Sequence, residues 1–239
     1  MIQDLLPAPA IGVDTFHDLG TNELFPEEHE QLRGAVEKRR HEYASVRYCA
    51  RRLLQQIGVE PTPLPTGSGG APTWPTGVVG SMTHCVGYRA AAVARDDELT
   101  AIGIDAEPNK PLPDEVWSLL TREEERSHIL RLLSRHPAVW WDTLWFSAKE
   151  AVYKAWYPVM KTWLDFDSVN VIVSQASVSP GLSTGAFRAT LVTNTEATSS
   201  QHSPTAAAFM ASIKGRWRCE RGLILTAAVV LPPHSVSSA

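Results

Sequence analysis

Ile11-Gly12-Val13-Asp14 returns as Ile102-Gly103-Ile104-Asp105, an offset of 91 positions, and this echo decides how the chain is read. Each copy is short and apolar and ends on an aspartate, the pattern of a strand that carries a carboxylate at its exit. Phe25-Pro26-Glu27-Glu28 follows the first copy and Leu120-Thr121-Arg122-Glu123-Glu124 the second. Helical stretches come next: Ala44-Ser45-Val46-Arg47-Tyr48-Cys49-Ala50-Arg51 in one half, Phe146-Ser147-Ala148-Lys149-Glu150-Ala151-Val152-Tyr153 in the other. Strand, acidic turn and long helix thus occur twice in the same order, which suggests a duplicated α+β fold. The halves divide at residue 100, into an N-terminal lobe of residues 1–100 and a C-terminal lobe of residues 101–239.

A chain of 239 residues accommodates one large domain or two fused small ones. Hydrophobic residues make up 44% and charged residues 20%, which excludes disorder, coiled coil and collagen. Its longest apolar runs, such as Leu223 to Leu231, fall short of the roughly 20 residues of a membrane helix. The opening MIQDLLPAPA has no basic region of the secretory type. Cys49, Cys85 and Cys219 are odd in number, scattered and without a C-x-x-C pair, so neither a disulfide framework nor a zinc site is expected. A reducing, cytoplasmic compartment follows from these readings, with no membrane partner.

Basic residues number 22 and acidic residues 26, for a net charge of −4, which argues against a general nucleic-acid binder. The cations are nevertheless concentrated: Arg33, Lys38, Arg39, Arg40, Arg47, Arg51 and Arg52 stand against Glu37 and Glu42. Such a helix suits a compact anion. Arg40, Arg47 and Arg51 fall on one helical stripe, whose guanidinium groups either meet a phosphate or form a solvated face.

Pro26 marks the start of a helix over 27–57, interrupted near Gly34. Thr62 to Gly80 is a Pro/Gly-punctuated loop. Tyr88 to Ala94 and Leu99 to Asp105, joined by Arg95-Asp96-Asp97-Glu98, read as a hairpin of two half-buried strands. Helices are expected over 114–133 and 138–156, the second closed by Pro158. Strands are expected over 169–173, 187–192, 206–213 and 223–231, with a Ser/Thr-rich loop over 193–203.

Four constellations carry chemistry. Side chains alternate along a strand, so Asp105 and Glu107 share a side while Ala106 points away. Paired carboxylates without a His or Cys pattern favour a hard cation, Mg²⁺ before Zn²⁺, or else they form a solvated strand-end turn. Glu150 and Lys154 are neighbours on one helix face, either an exposed ion pair or a pair partly desolvated by Trp145, Phe146, Val152, Tyr153 and Trp156. Thr83 and His84 occupy a small-residue turn where donors can reach a phosphate, although a lone histidine is more often structural. A Cys85–His84 dyad is rejected because adjacent strand residues face opposite ways. The basic helix is the fourth. The loop Thr66-Gly67-Ser68-Gly69-Gly70 lacks the G-K-[ST] ending of a P-loop but still admits a close backbone approach to a ligand.

Taken in order, Trp74-Pro75, Gly77-Val78-Val79-Gly80-Ser81-Met82-Thr83-His84-Cys85, Gly103-Ile104-Asp105-Ala106-Glu107 and Phe146-Ser147-Ala148-Lys149-Glu150-Ala151-Val152-Tyr153-Lys154-Ala155-Trp156 resemble the 4′-phosphopantetheinyl transferases. The likeness is greatest to the two-lobed group that serves siderophore, polyketide and nonribosomal peptide synthases, and it spans roughly residues 35 to 165. It implies a pseudo-twofold α+β fold, each lobe a small antiparallel sheet on a long helix, with the active site between lobes. It also implies transfer of phosphopantetheine from coenzyme A to a serine of an apo acyl or peptidyl carrier protein, with release of 3′,5′-ADP. By position, Asp105, Glu107 and Glu150 would hold Mg²⁺, with Mn²⁺ as a substitute. Glu150 would serve as base, and Lys154 would stabilise charge on the phosphoryl group. Arg39, Arg47 and His84 would bind the 3′-phosphate, while Thr83 and the loop Thr66, Gly67, Ser68 and Gly69 would border the nucleotide. The chain departs from many relatives in lacking a Lys or Arg in that loop, and Ala106 leaves no third carboxylate between Asp105 and Glu107. A pseudo-dimeric chain of this kind is expected to be a monomer. Two other readings use the same residues: a Mg²⁺-dependent nucleotide phosphohydrolase, and a non-catalytic coenzyme A-binding module.

Overall fold

The computed structural model describes residues 1–19, 21–192 and 203–232. The first half contains β1 (Ile11–Thr15), α1 (Pro26–Gln31), α2 (Glu37–Gln56), β2 (Val78–Cys85) and β3 (Tyr88–Arg95). The second opens with β4 (Ala101–Pro108), then α3 (Asp114–Leu120), α4 (Glu123–Arg135) and α5 (Trp141–Met160). It continues through β5 (Val169–Ser179), β6 (Leu182–Leu191), α6 (Pro204–Ser212), β7 (Lys214–Glu220) and β8 (Leu223–Val230). Two antiparallel sheets result, ordered β1-β3-β2 and β4-β8-β7-β6-β5.

The duplication is visible in this topology. In each half the first strand pairs with the last, and the last with the one before it: β1-β3-β2 and β4-β8-β7. A helix of 20 residues precedes those final two strands in both, α2 in one and α5 in the other. β5 and β6 extend the second sheet alone.

The expected hairpin of residues 88–94 with 99–105 does not form. β3 lies between β1 and β2, whereas β4 pairs with β8. Arg95 to Thr100 is a crossover between sheets, anchored where Arg95 Nη2 donates to Ile57 O at 2.6 Å and Asp96 N to Gly77 O at 3.1 Å. The physical reason is that β3 is buried on both faces, which demands a continuous apolar run and a central position. Its Ala90, Ala92 and Ala94 pack with Ile102, Ile104 and Ala106 of β4 and Leu225, Ala227 and Val229 of β8. Its Ala91 and Val93 pack with Cys49, Ala50, Leu53 and Leu54 of α2. A third core joins α5 to the larger sheet through Trp141, Trp145, Ala151, Trp156 and Trp217.

Other elements also depart from expectation. Thr83 and His84 lie in strand β2, not in a turn. The helix expected over 27–57 is interrupted at Gly34 as anticipated and so forms two helices; the Gly34 φ of 79° is one no side-chain-bearing residue adopts readily. The helix expected over 114–133 is likewise two, α3 and α4. Pro158 lies inside α5, in its final turn, where the hydrogen bond it removes costs least. Residues 206–212 belong to helix α6 and not to a strand, because Ser203 Oγ accepts from Ala206 N at 3.1 Å and Pro204 stands at the first helical position. The loop expected over 193–203 lies outside the described residues except for Ser203.

Gly103 sets the distance between α5 and β4. A Cβ there would overlap Ala151 O and Ala155 N of the helix backbone. Gly103→Ala is therefore expected to cost about 1–3 kcal/mol in urea unfolding, the range for overpacking a tight core. It should also lower activity, because α5 carries Glu150 and Lys154 past the end of β4.

Candidate active site

β4 leaves the core with Ala106 in the layer between sheets and Asp105 and Glu107 on the other side. Asp105 is 4% exposed. Its Oδ1 accepts from Lys154 Nζ at 2.6 Å and from Thr83 Oγ1 at 3.3 Å. Its Oδ2 is buried with no hydrogen-bond partner. Burial pushes the Glu107 carboxyl up to about 7, and the charge of Asp105 adds to the shift. Burial also raises Glu150, against the pull of Lys154 and with the repulsion of Asp105. Burial alone would lower Lys154, but Asp105, Glu150 and Glu107 outweigh it, so the amine is held above its ordinary range.

Three carboxylates thus share one nearby ammonium group, and the excess negative charge favours a cation. The orphaned Oδ2 of Asp105 is a buried acceptor with unused capacity, as a hard metal ion requires. The donor set therefore fits Mg²⁺. Among the described residues no three carboxylate, histidine or cysteine side chains already form a metal cluster. Lys154 occupies the counter-charge position on Asp105 instead.

Two halves of the chain meet here. Ser81 of β2 accepts from Ile104 N of β4 at 3.0 Å, which joins the sheets beside the carboxylates. Beyond Thr83, His84 Nε2 stands 2.9 Å from Arg39 Nη1 of α2. Arg39, Tyr43, Arg47, Thr66, Gly70, Met82 and His84 line one cavity. A second shares Gly70 and Met82 with it and reaches Glu150, Tyr153, Lys154 and Tyr157. A third shares Glu150 and Tyr153 with the second and ends at Trp163, Leu164 and Phe166. The track is cationic at one end, carries Glu150 and Lys154 in the middle and is aromatic at the other end.

The sequence-derived site residues fare unequally. Asp105, Glu107, Glu150, Lys154, Thr83, His84 and Arg39 are brought together. Arg47 lines the cationic cavity but is 4% exposed and already engaged. It donates to Leu64 O at 2.8 Å and to Thr66 Oγ1 at 3.1 Å, and its guanidinium lies 3.1 Å from the Tyr43 ring centroid. Burial lowers it to about 10. The stripe of Arg40, Arg47 and Arg51 is not a single anion-binding face. Arg51 pairs with the buried Glu28 at 3.0 Å, and Arg40 donates to Ala35 O at 2.9 Å. Thr66 is pinned by Gln31, which binds both its N–H and its carbonyl. Gly69, at φ 65°, abuts the Tyr157 ring and lines the middle of the track. Gly67 and Ser68 line an adjoining cleft, with Trp74 and Ile102, that shares Ala71, Pro72, Gly80 and Pro158 with the middle of the track.

Two further residues were given no role from the sequence, although Lys149 opens the Lys149-Glu150-x-x-x-Lys154 motif. Glu42 is 8% exposed and stands 3.7 Å from His84 Nδ1. Lys149, 2% exposed, bonds to Glu125 Oε2, Leu120 O and Phe166 O, each at 2.8 Å. Their partners do not show in the sequence, because they lie far along the chain and a buried Lys149 is spelled like a surface lysine.

Comparison with known proteins bears on both halves. Residues 27–94 match the 4′-phosphopantetheinyl transferase N-terminal domain, and residues 101–208 match the 4′-phosphopantetheinyl transferase superfamily. The chain is 44% identical to 4′-phosphopantetheinyl transferase Svp of Streptomyces mobaraensis, over 98% of this chain and 90% of that one. It is 38% identical to 4′-phosphopantetheinyl transferase PptT of Mycobacterium tuberculosis, over 94% of this chain and 98% of that one. Enterobactin synthase component D of Salmonella typhimurium shares 35% identity over 58% of this chain and 56% of its own.

Proposed function

This chain belongs to the 4′-phosphopantetheinyl transferase superfamily, and from that membership we propose how its residues divide the work. The enzyme transfers the 4′-phosphopantetheinyl group of coenzyme A to carrier proteins. The observation that carries the assignment of roles is Asp105, with Lys154 at 2.6 Å on one oxygen and the other oxygen buried and unpartnered.

Asp105, Glu107 and Glu150 would hold Mg²⁺, or Mn²⁺ in its place. When bound, the ion neutralises the pyrophosphate and polarises the phosphorus that is attacked. The cationic cavity receives the 3′-phosphate, with Arg39 and His84 as direct partners and Arg47 bracing Thr66 behind them. The pantetheine arm lies along Tyr153, Trp163 and Phe166, where the buried hydroxyl of Tyr153 lacks a partner. Glu150 accepts the proton of the carrier serine, directly or through a water. The serine oxygen bonds to the β-phosphorus, and the bond from that phosphorus to the bridging oxygen breaks. The 3′,5′-ADP then leaves, with Lys154 stabilising the developing charge. Thr83 keeps Asp105 oriented. We place the enzyme in the cytoplasm as a monomer. No helix among the described residues is long and apolar enough to cross a membrane.

The test is intact mass of an apo carrier protein incubated with the chain, coenzyme A and Mg²⁺. A gain of about 340 Da is expected for one phosphopantetheinyl group in a phosphoryl-type transfer, and it should vanish with EDTA. Coenzyme A cleaved without that gain would favour hydrolysis, and a gain that persists in EDTA would overturn the metal assignment.

A further inference from the structure

Glu42 stands in a place that ordinary phosphate recognition would avoid. A carboxylate 8% exposed, on the same helix as Arg39 and one turn from it, repels any phosphate entering the cavity. Burial of such a charge is tolerated only where it is compensated. Lys38 Nζ lies 3.9 Å away but is 71% exposed and solvated. Arg89 Nη2 also lies 3.9 Å away, yet it is held by Asp18 at 2.6 Å, while its Nη1 donates to Cys85 O and Tyr88 O. The remaining partner is His84, whose Nδ1 is 3.7 Å from Glu42 Oε2.

On its other side His84 faces Arg39, which must donate, so Nε2 accepts and Nδ1 carries the proton, with Glu42 Oε2 at an ion-pair distance of 3.7 Å. Once Arg39 turns away, this neutral ring would present a lone pair to the cavity, the wrong group for a phosphate. The charged groups that act on it are Glu42 and Arg39 from α2, Arg89 from β3 and Lys154 from α5. Glu42 alone among them favours the imidazolium, while burial and the three cations oppose it.

We propose that Glu42 is a positioning residue that holds the His84 ring through Nδ1 and stabilises its imidazolium form, so that Nε2 presents a proton to the 3′-phosphate of coenzyme A. Arg39 swings from Nε2 to the phosphate as the ligand enters, and the ring takes one proton from solvent. A chain of carboxylate, imidazolium and phosphate replaces the Arg39–His84 contact. The inference rests on the assignment of the 3′-phosphate to this cavity.

The experiment compares kcat/KM for coenzyme A and for 3′-dephospho-coenzyme A in the parent chain, Glu42→Gln and His84→Ala. Glu42→Gln is expected to reduce the preference for coenzyme A by about tenfold at neutral pH, the factor that one unit of lost proton affinity yields. The loss should lie in KM. It should shrink as pH falls, because a less basic His84 still protonates in acid. Ring ¹⁵N shifts of His84 with 3′,5′-ADP bound should report imidazolium in the parent and neutral imidazole in Glu42→Gln, a readout that needs no turnover. Preference lost in His84→Ala but intact in Glu42→Gln, or both substrates impaired equally by Glu42→Gln, would overturn the role of Glu42 alone. Preference intact in His84→Ala would overturn the placement of the 3′-phosphate, and the inference with it.

Discussion

Replacing Asp105 by asparagine is expected to slow carrier modification by about 10³-fold or more, at or beyond the upper end of what removing one preorganised charge-stabilising group costs. Asparagine keeps the shape of the side chain and can still accept from Thr83. It cannot keep the charge on which Lys154 rests at 2.6 Å. It also carries an NH₂ group, which placed at the buried, unpartnered Oδ2 position would aim a donor where a cation is to bind. Both effects fall on the chemical step, so the loss should appear in kcat as well as in kcat/KM. The rate of mass gain on an apo carrier measures it, with Mg²⁺ titrated over a wide range. A variant within tenfold of the parent and equally dependent on Mg²⁺ would remove Asp105 from the metal site.

Lys149→Met should have the largest effect on stability, about 3–5 kcal/mol, because breaking a buried ion pair leaves an uncompensated charge. The pair Lys149–Glu125 is almost wholly excluded from solvent, at 1% and 2% side-chain exposure. Removing the ammonium group strands the Glu125 carboxylate. It also frees the carbonyls of Leu120 and Phe166, which Lys149 ties to α5. Glu125 is itself a hub that accepts from Arg122 N at 3.1 Å and from Val171 N at 2.9 Å. The double variant Lys149→Met/Glu125→Gln should recover part of the loss, since the charge is gone and one backbone bond survives. Urea unfolding of both variants is the measurement. A single variant within 1 kcal/mol of the parent would contradict the buried-charge account, since an average point substitution already costs about that much. Phe166 O anchors the aromatic end of the track, so Lys149→Met should also raise KM for coenzyme A.

Much of the candidate active site was legible because its residues follow local periodicities. Alternation along a strand set Asp105 and Glu107 on one side, and the i,i+4 spacing set Glu150 beside Lys154. The duplicated strand motif pointed to two similar halves, and their matching strand order bears this out. Reading failed where the partner of an element lay far along the chain. Residues 88–94 and 99–105 look like a hairpin because they are adjacent and apolar, but β3 had better partners in β1 and β2. The apolar run 206–213 suits strand or helix equally by periodicity, and the Ser203-Pro204 start tipped it to helix.

The basic helix marks the boundary most clearly. Its charge concentration was plain in the sequence, and so was the expectation of an anion beside it. Which arginine would face that anion was not, because every guanidinium on α2 has the same composition and similar spacing. Folding divided them: Arg51 went to buried Glu28, Arg47 to Leu64, Thr66 and the Tyr43 ring, and Arg39 to His84. The sequence by itself determined the fold class, the duplication and the chemistry of the carboxylate–lysine centre, since these depend on residue type and short-range spacing. Only the tertiary structure decided which sheet each strand joins, which cation stays free for a ligand and that Glu42 stands behind His84. Those outcomes depend on burial and on contacts between residues distant in the chain, where a charge must find a partner before it can be excluded from water.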